Sequence, residues 1–345
     1  MTVVGSRAEV RRGVVLQVLA FGLIAAAITS AFAVVPHWLP PAASEQADRN
    51  YVVVWYVTII CIVIFAIVAA SLAYSVLRFR RASDDDGDGP PIHGHTGLEI
   101  AWTAIPFLLV TSMAVLSAVV LARNDATGAN PLHVQVTAQQ FAWSFKYPDQ
   151  KNVTSYILRV PEGRTVRLEF KALDVIHSFW VPEWSQKQDT VPGITTYLTV
   201  TPNRLGSFSI ICTELCGLGH AVMRSTVIVM PPAAFEKWVT GLSKATGGPG
   251  AGKAVFAANG CGACHTLKAA GSAGKLGPDL DKLVADAARA GKPLDAFIHE
   301  SIVNPDAYIE KGFAKGVMPK TFATLPKDQL DALVQFLIDS SKGAK

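Results

Sequence analysis

The metal chemistry of this chain is concentrated in twelve residues, Cys212-Thr213-Glu214-Leu215-Cys216-Gly217-Leu218-Gly219-His220-Ala221-Val222-Met223. Two thiols, an imidazole and a thioether fall inside them, and His177 stands upstream in the apolar, aromatic run Val175-Ile176-His177-Ser178-Phe179-Trp180. Thiolate and thioether combined with imidazole suit copper used for electron transfer, where methionine is a weak axial ligand. A mononuclear site needs one cysteine. Two cysteines four positions apart, with two histidines and one methionine, serve two coppers if both thiolates bridge the metals. Two plainer chemistries fit part of the set. Cys212 and Cys216 form a disulfide across a tight loop in an oxidising compartment, or they join His177 and His220 around a structural zinc. Neither has a use for Met223.

A second constellation lies downstream. Cys261-Gly262-Ala263-Cys264-His265 is C-x-x-C-H, the attachment signature of c-type haem. Two thiols on one helical turn reach the two vinyl groups, and the adjacent imidazole reaches the iron. A bare C-x-x-C reads as a redox dithiol or half a zinc site; the following histidine selects haem. The iron then needs a sixth ligand. Met318, in Gly316-Val317-Met318-Pro319, is the only methionine after Met230, and His299 is the competing imidazole. His/Met ligation raises the haem potential. The bland alternative makes Met318 a core side chain.

The elements that must position these groups can be read in outline. The chain has 345 residues, room for two small domains and some membrane helices. Half of them are hydrophobic, and mean hydropathy is +0.31, high for a wholly soluble protein. A formal charge of +4 is too small at this size to suggest nucleic-acid binding. Of five cysteines, Cys61 lies in an apolar run and the other four form two compact pairs interleaved with histidine, which reads as cofactor chemistry.

Residues 1–33 read as a signal peptide, with Arg7, Arg11 and Arg12 before an apolar stretch and Ala31-Phe32-Ala33 as a cleavage pattern. The competing reading is an additional membrane helix, since the stretch is long for a signal core. Residues 51–122 hold two spans, about Tyr51–Leu77 and Leu98–Leu121. Arg78, Arg80 and Arg81 place the first span's end in the cytoplasm. Ser83 to Gly94 reads as a solvated loop. Pro106 is tolerated inside the second span, and everything after Arg123 lies on the periplasmic or extracellular side. Glu99 favours that helix's N-terminus. Residues 130–240 alternate with period two, at His133–Thr137, Thr165–Phe170, Thr195–Val200 and Ser207–Ile211, and predict a β-sandwich or Greek-key barrel carrying the copper ligands on loops at one end. Phe235–Trp238 begins a helical turn. Residues 241–252 read as a flexible linker, and 253–342 as a helical domain whose last helix contains Leu330–Leu337.

The pattern C-x-E-x-C-x3-H-x2-M, preceded by His177-Ser178-Phe179-Trp180-Val181-Pro182, resembles the binuclear CuA site of cytochrome c oxidase subunit II. The resemblance implies a cupredoxin fold. It makes Cys212 and Cys216 the bridging thiolates, His177 and His220 the terminal imidazoles and Met223 the weak ligand. Glu214 would bind through its backbone carbonyl and point its side chain at a magnesium ion. Lys187-Gln188-Asp189 with Val191-Pro192-Gly193 matches a segment near that magnesium; the plainer reading of Asp189 is a solvated loop carboxylate. Glu99-Ile100-Ala101-Trp102-Thr103-Ala104-Ile105-Pro106 matches the family's E-x-x-W-T-x-I/L-P, whose glutamate sits at the mouth of a proton-uptake channel.

One stretch departs from the family. In Gln139-Gln140-Phe141-Ala142-Trp143-Ser144-Phe145-Lys146-Tyr147, Phe141 stands where other members have the tryptophan that receives electrons from soluble cytochrome c. Lys146 and Lys151 replace the expected acidic surface. Trp143 reads as a sheet-face aromatic. With the C-x-x-C-H segment and Gly277-Pro278-Asp279-Leu280, which resembles the loop covering the haem of class I cytochromes c, the chain looks like the cytochrome-c-fused class of subunit II. Tethering turns docking into an intramolecular encounter.

The resemblance implies a multidomain membrane protein: a two-helix transmembrane hairpin, an all-β cupredoxin-like domain and an all-α class I cytochrome c domain. Its cofactors would be CuA, covalent haem c and interfacial magnesium. Its setting would be the bacterial inner membrane, beside oxidase subunits I and III, with a cytochrome c or a quinol-oxidising complex as donor. The same module in a nitric oxide reductase, or as a free-standing membrane-anchored carrier, is the alternative. The histidines needed to reduce oxygen are absent from this chain's spans.

Overall fold

A computed structural model describes residues 7–80, 91, 93–150, 153–244 and 251–342. Lys151, most of the 81–92 loop including Arg81, and residues 245–250 of the expected linker lie outside the described residues, as do the side chains of Arg7 and Arg11.

Three helices, α1 (Arg7–Val34), α2 (Glu45–Arg78) and α3 (Thr96–Asp125), are long and apolar enough to cross a membrane. At about 1.5 Å per residue, the 34 residues of α2 exceed a bilayer's hydrocarbon core of about 30 Å. Its polar first turn therefore extends beyond that core. Pro106 sits inside α3 without ending it. Tyr56 and Ser112 share a hydroxyl hydrogen bond of 2.7 Å between α2 and α3. Gly22 of α1 faces Ala66 and Ala70 of α2, a small-residue contact that lets backbones approach.

The second unit begins with residues 42–47 and resumes at Asn124. Ten strands of the described residues build its sandwich: β1 (Leu132–Gln139), β2 (Ala142–Tyr147), β3 (Val153–Ser155), β4 (Leu158–Pro161), β5 (Val166–Ala172), β6 (His177–Val181), β7 (Gln186–Thr190), β8 (Thr196–Val200), β9 (Gly206–Cys212) and β10 (Arg224–Met230). They make two five-stranded sheets, ordered β3-β2-β1-β5-β8 and β4-β10-β9-β6-β7. The pairs β1–β5 and β4–β10 are parallel and the rest antiparallel. Alternation aims Val134, Val136, Phe145, Leu168, Phe170, Phe179, Ile210 and Val227 into one core between the sheets. Burying each such side chain stabilises by about 1.5–3 kcal/mol. Tyr147 clamps the sheets together: its hydroxyl accepts from Arg159 N at 2.7 Å and donates to Arg159 O at 2.9 Å. Residues 42–47 also belong here, since Gln46 Oε1 accepts from Thr201 N at 2.9 Å.

Helix α4 (Pro232–Lys244) buries Phe235 and Val239 in the sandwich core. The stretch 241–252 is thus helical at both ends, because α4 runs through Gly241 to Lys244 and α5 (Ala251–Ala258) starts before it closes. Gly252 is there for space rather than flexibility. A Cβ on it would collide with the Ala332 carbonyl. The remaining helices are α6 (Cys261–Cys264), α7 (Leu283–Arg289), α8 (Leu294–Val303) and α9 (Lys327–Lys342). They bury Phe256, Leu267, Phe297, Ile298, Leu333 and Leu337 as a separate core.

Candidate metal centre and haem cavity

Strands deliver the two ends of the copper site. His177 is the first residue of β6 and Cys212 the last of β9, so two of the expected ligands sit on the sheet itself. The strands are bonded with Phe179 opposite Cys212. The connection from β9 to β10 is closed by Cys212 N donating to Met223 O at 3.2 Å. Inside that loop Cys216 Sγ lies 3.9 Å from Cys212 Sγ, 3.6 Å from His220 Nδ1 and 3.7 Å from Met223 Sδ. The Glu214 carbonyl is 3.3 Å from Cys212 Sγ, and the Glu214 side chain is exposed. Both cysteines are buried free thiols. One ligand atom from each of His177, Cys212 and Cys216 lies within 4.8 Å of the others.

His177 is fully buried, and its Nδ1 has no hydrogen-bond partner. Its Nε2 is 2.8 Å from Asp174 Oδ1, so the carboxylate fixes the tautomer and leaves Nδ1 to face the thiols. A buried ring nitrogen without a partner beside two thiols and a thioether suits a soft metal better than zinc. The residues fit copper.

The electrostatics favour a bound cation. Burial alone would raise the Cys212 thiol, but the His177 imidazole beside it, with backbone groups of Ser178 and Glu214, draws it down to about 6. Burial, reinforced by that neighbouring thiolate, pushes Cys216 up to about 12. A metal that binds both relieves this repulsion, since a coordinating thiol is deprotonated outright.

Two supporting residues escaped the sequence reading. Asp174 also accepts from Gln140 N and Val175 N, each at 2.7 Å. Gln140 Nε2 donates to the Cys216 carbonyl at 2.6 Å, tying the β1–β2 turn to the copper loop. An Asp three residues before a ligand histidine was the available signal. Of the expected magnesium-side residues, Asp189 lies on β7 and accepts from Ser178 Oγ at 2.6 Å. Glu99 Oε1 accepts from His95 N at 3.1 Å at the start of α3, the helix-terminus role open to it.

The C-x-x-C-H segment forms α6, and Cys261, Cys264 and His265 line a cavity of about 290 Å³ together with Met318. His299 is on α8, exposed and outside that lining. His265 Nδ1 is 2.8 Å from the Pro278 carbonyl, which leaves Nε2 for a metal. A Cβ on Gly277 would strike the His265 ring, so only glycine lets the covering loop come this close. The Met318 loop is held by Asp306, whose carboxylate accepts from Gly316 N and pairs with Lys320, both at 2.9 Å. An apolar cavity with thiols, an oriented imidazole and a thioether fits haem.

The cavity has a second wall. Phe141, Ala142, Trp143, Tyr156, Val222 and Arg224 of the sandwich line it. The Phe141 ring packs on Gly217 and Gly219 of the copper loop, and a Cβ on Gly219 would run into it. The Trp143 indole packs edge-on against His177, with centroids 6.1 Å apart.

Three family descriptions match in chain order: cytochrome c oxidase subunit II, transmembrane domain, over residues 33–120; the same subunit's periplasmic domain over 156–230; and cytochrome c over 250–341. Cytochrome c oxidase subunit 2 of Alkalihalophilus pseudofirmus is 31% identical, with 86% of this chain and 87% of that protein covered. The subunit 2 of Bacillus sp. PS3 is 30% identical over 86% and 89% of the two chains. The solved periplasmic domain of subunit II from Bradyrhizobium japonicum is 27% identical at a TM-score of 0.32, covering 33% of this chain and 95% of that one. Three transmembrane-length helices, a copper-type sandwich and a C-terminal cytochrome c domain thus occur in one membrane-anchored chain, and it belongs to the cytochrome c oxidase subunit II family.

Proposed function

We propose that this chain is the electron-accepting subunit of a haem-copper terminal oxidase. Electrons would move from its cytochrome domain to its cupredoxin domain and on to a catalytic subunit I that reduces oxygen to water. The observation that carries this reading is the shared wall. The cavity containing the C-x-x-C-H segment is lined on one side by Phe141, Val222 and Arg224, residues in or touching the copper loop. Short separation through packed protein is what a one-electron transfer needs.

His177, Cys212, the Glu214 carbonyl, Cys216, His220 and Met223 would hold the copper pair, and Cys261, Cys264, His265 and Met318 the covalent haem. When bound, these groups supply reversible one-electron chemistry. The protein's part is to keep the ligands fixed and dry. Asp174 and Gln140 hold His177 and the Cys216 backbone, while Pro278 holds the His265 ring. Phe141, by filling the space beside Gly217 and Gly219, would keep water from between the two centres. This intramolecular route accounts for the absence of a tryptophan at that position.

Asp189 and Glu214 would face a magnesium ion at the subunit I boundary, and Glu99 would stand at a proton-uptake mouth on the cytoplasmic side. Subunit III, an external cytochrome c or quinol-oxidising donor, and the bacterial inner membrane complete the setting. The domains would divide at 51–122, 130–240 and 253–342, with residues 1–33 either removed or kept as a further membrane helix. The test is electron paramagnetic resonance with metal analysis on the purified full-length chain. A seven-line mixed-valence copper signal with two coppers per haem is expected. Absence of copper after reconstitution under reducing conditions would reduce the chain to a membrane-tethered cytochrome.

A further inference from the structure

The acidic side chains lining the haem cavity already have their partners. Asp286 and Glu310 both pair with Arg289, at 2.5 and 2.9 Å, and Tyr308 donates to Glu310 at 3.0 Å. Asp306 is held by Lys320 and Gly316 N. Arg224 is in the opposite position. Among the described residues it is the one arginine or lysine in the lining, and the sandwich rather than the cytochrome domain contributes it. Its Nε makes a single long contact of 3.4 Å with the Ala221 carbonyl, and no carboxylate of the described residues pairs with it.

We infer that Arg224 receives a propionate of the haem and thereby fastens the haem to the copper domain. This rests on reading Cys261, Cys264 and His265 as the haem attachment. Haem brings two carboxylates that only accept hydrogen bonds, into a cavity where Asp286 and Glu310 already share one arginine and Asp306 already holds Lys320. An anion left there without a partner carries a large desolvation cost. A guanidinium offers a planar fork that matches a carboxylate bidentately, and lysine does not reproduce this fork. Arg224 is also the residue after Met223 and the first of β10. An ion pair there joins the haem edge to the strand that closes the copper loop, which sets the separation between the two centres. A cation beside the haem favours the reduced iron, so Arg224 raises the potential of the centre that must pass electrons inward.

The experiment uses the full chain carrying haem and copper, as wild type, Arg224→Gln and Arg224→Lys. Haem staining after denaturation first establishes covalent haem, and the copper paramagnetic signal checks folding beside Met223. Redox titration of the haem and the propionate bending band in resonance Raman are then read. In Arg224→Gln the potential is expected to fall and the propionate band to shift. In Arg224→Lys the potential is expected to stay near wild type while the band still moves, because the charge remains and the fork is lost. A haem potential and a propionate band both unchanged in Arg224→Gln would overturn the pairing and leave Arg224 a solvated surface cation. Absence of covalent haem in the wild-type chain would overturn the haem reading itself, and this pairing with it.

Discussion

The copper loop and the haem cavity are built on opposite plans. At the copper site the donors lie close to one another. Strands β6 and β9 are hydrogen-bonded neighbours, so His177 and Cys212 are held by the sheet, and the loop needs only to fold Cys216 and Met223 back over them. At the haem site the donors stand apart around a cavity of about 290 Å³, with α6 on one side and the Met318 loop on another. The first is a preorganised cluster. The second is a frame whose contents must supply the missing core. A small ion can be held by backbone register alone, whereas a large planar group needs walls from several elements, including a neighbouring domain.

The largest expected break in that comparison is Cys216→Ser. Loss of one of the two thiols is expected to abolish the mixed-valence copper signal while haem staining stays as in wild type; a wild-type copper spectrum would sink the two-thiolate assignment. Next is Asp174→Ala, which removes the carboxylate from His177 Nε2. Copper affinity is expected to fall by about 10–100-fold, the usual cost of losing such a support, measured by competition with a copper chelator. The frame is probed by Met318→Ala. Covalent haem is expected to survive because the thiols hold it, but the reduction potential is expected to drop as the thioether leaves. An unchanged potential would remove Met318 from the ligand set.

Gly252→Ala tests the contact between α5 and α9. Its Cβ would meet the Ala332 carbonyl, and such overpacking costs about 1–3 kcal/mol, readable as a lower melting temperature of the cytochrome domain with the copper signal intact. The smallest effect belongs to Asp306→Asn. Lys320, then the Gly316 N–H, hold the Asp306 carboxyl below its ordinary value of 3.8. The stabilisation it provides is therefore present above that value and is lost as pH falls through the lower folded one. Lys320 is largely exposed, so the pair is worth about 0.2–1 kcal/mol. The variant is expected to lose this acid-dependent component of the Met318-associated haem spectrum.

Much of this was legible in the chain. Alternation at 133–137, 165–170, 195–200 and 207–211 found β1, β5, β8 and β9, because one buried face imposes a period of two. Strands β3 and β4 are too short, at three and four residues, to carry such a pattern. Gly252 was read as linker because glycine in a Gly- and Ala-rich run signals flexibility. Only the crossing of α5 and α9 shows that it is required by space.

By itself the sequence determined the candidate donor sets, since Cys212, Cys216, His220 and Met223, like Cys261, Cys264 and His265, are close together along the chain. It also determined the membrane spans, which depend on length and hydropathy alone. Tertiary structure decided what lies across from them: Asp174 on His177, Gln140 on the copper loop, Asp306 on the Met318 loop, and Arg224 on the rim of the haem cavity. Gln140 and Cys216 are 76 residues apart, and Arg224 lines a cavity whose C-x-x-C-H segment belongs to the following domain. No local period or motif encodes such a pairing. It exists only once two sheets close on one core and a second domain packs against their edge.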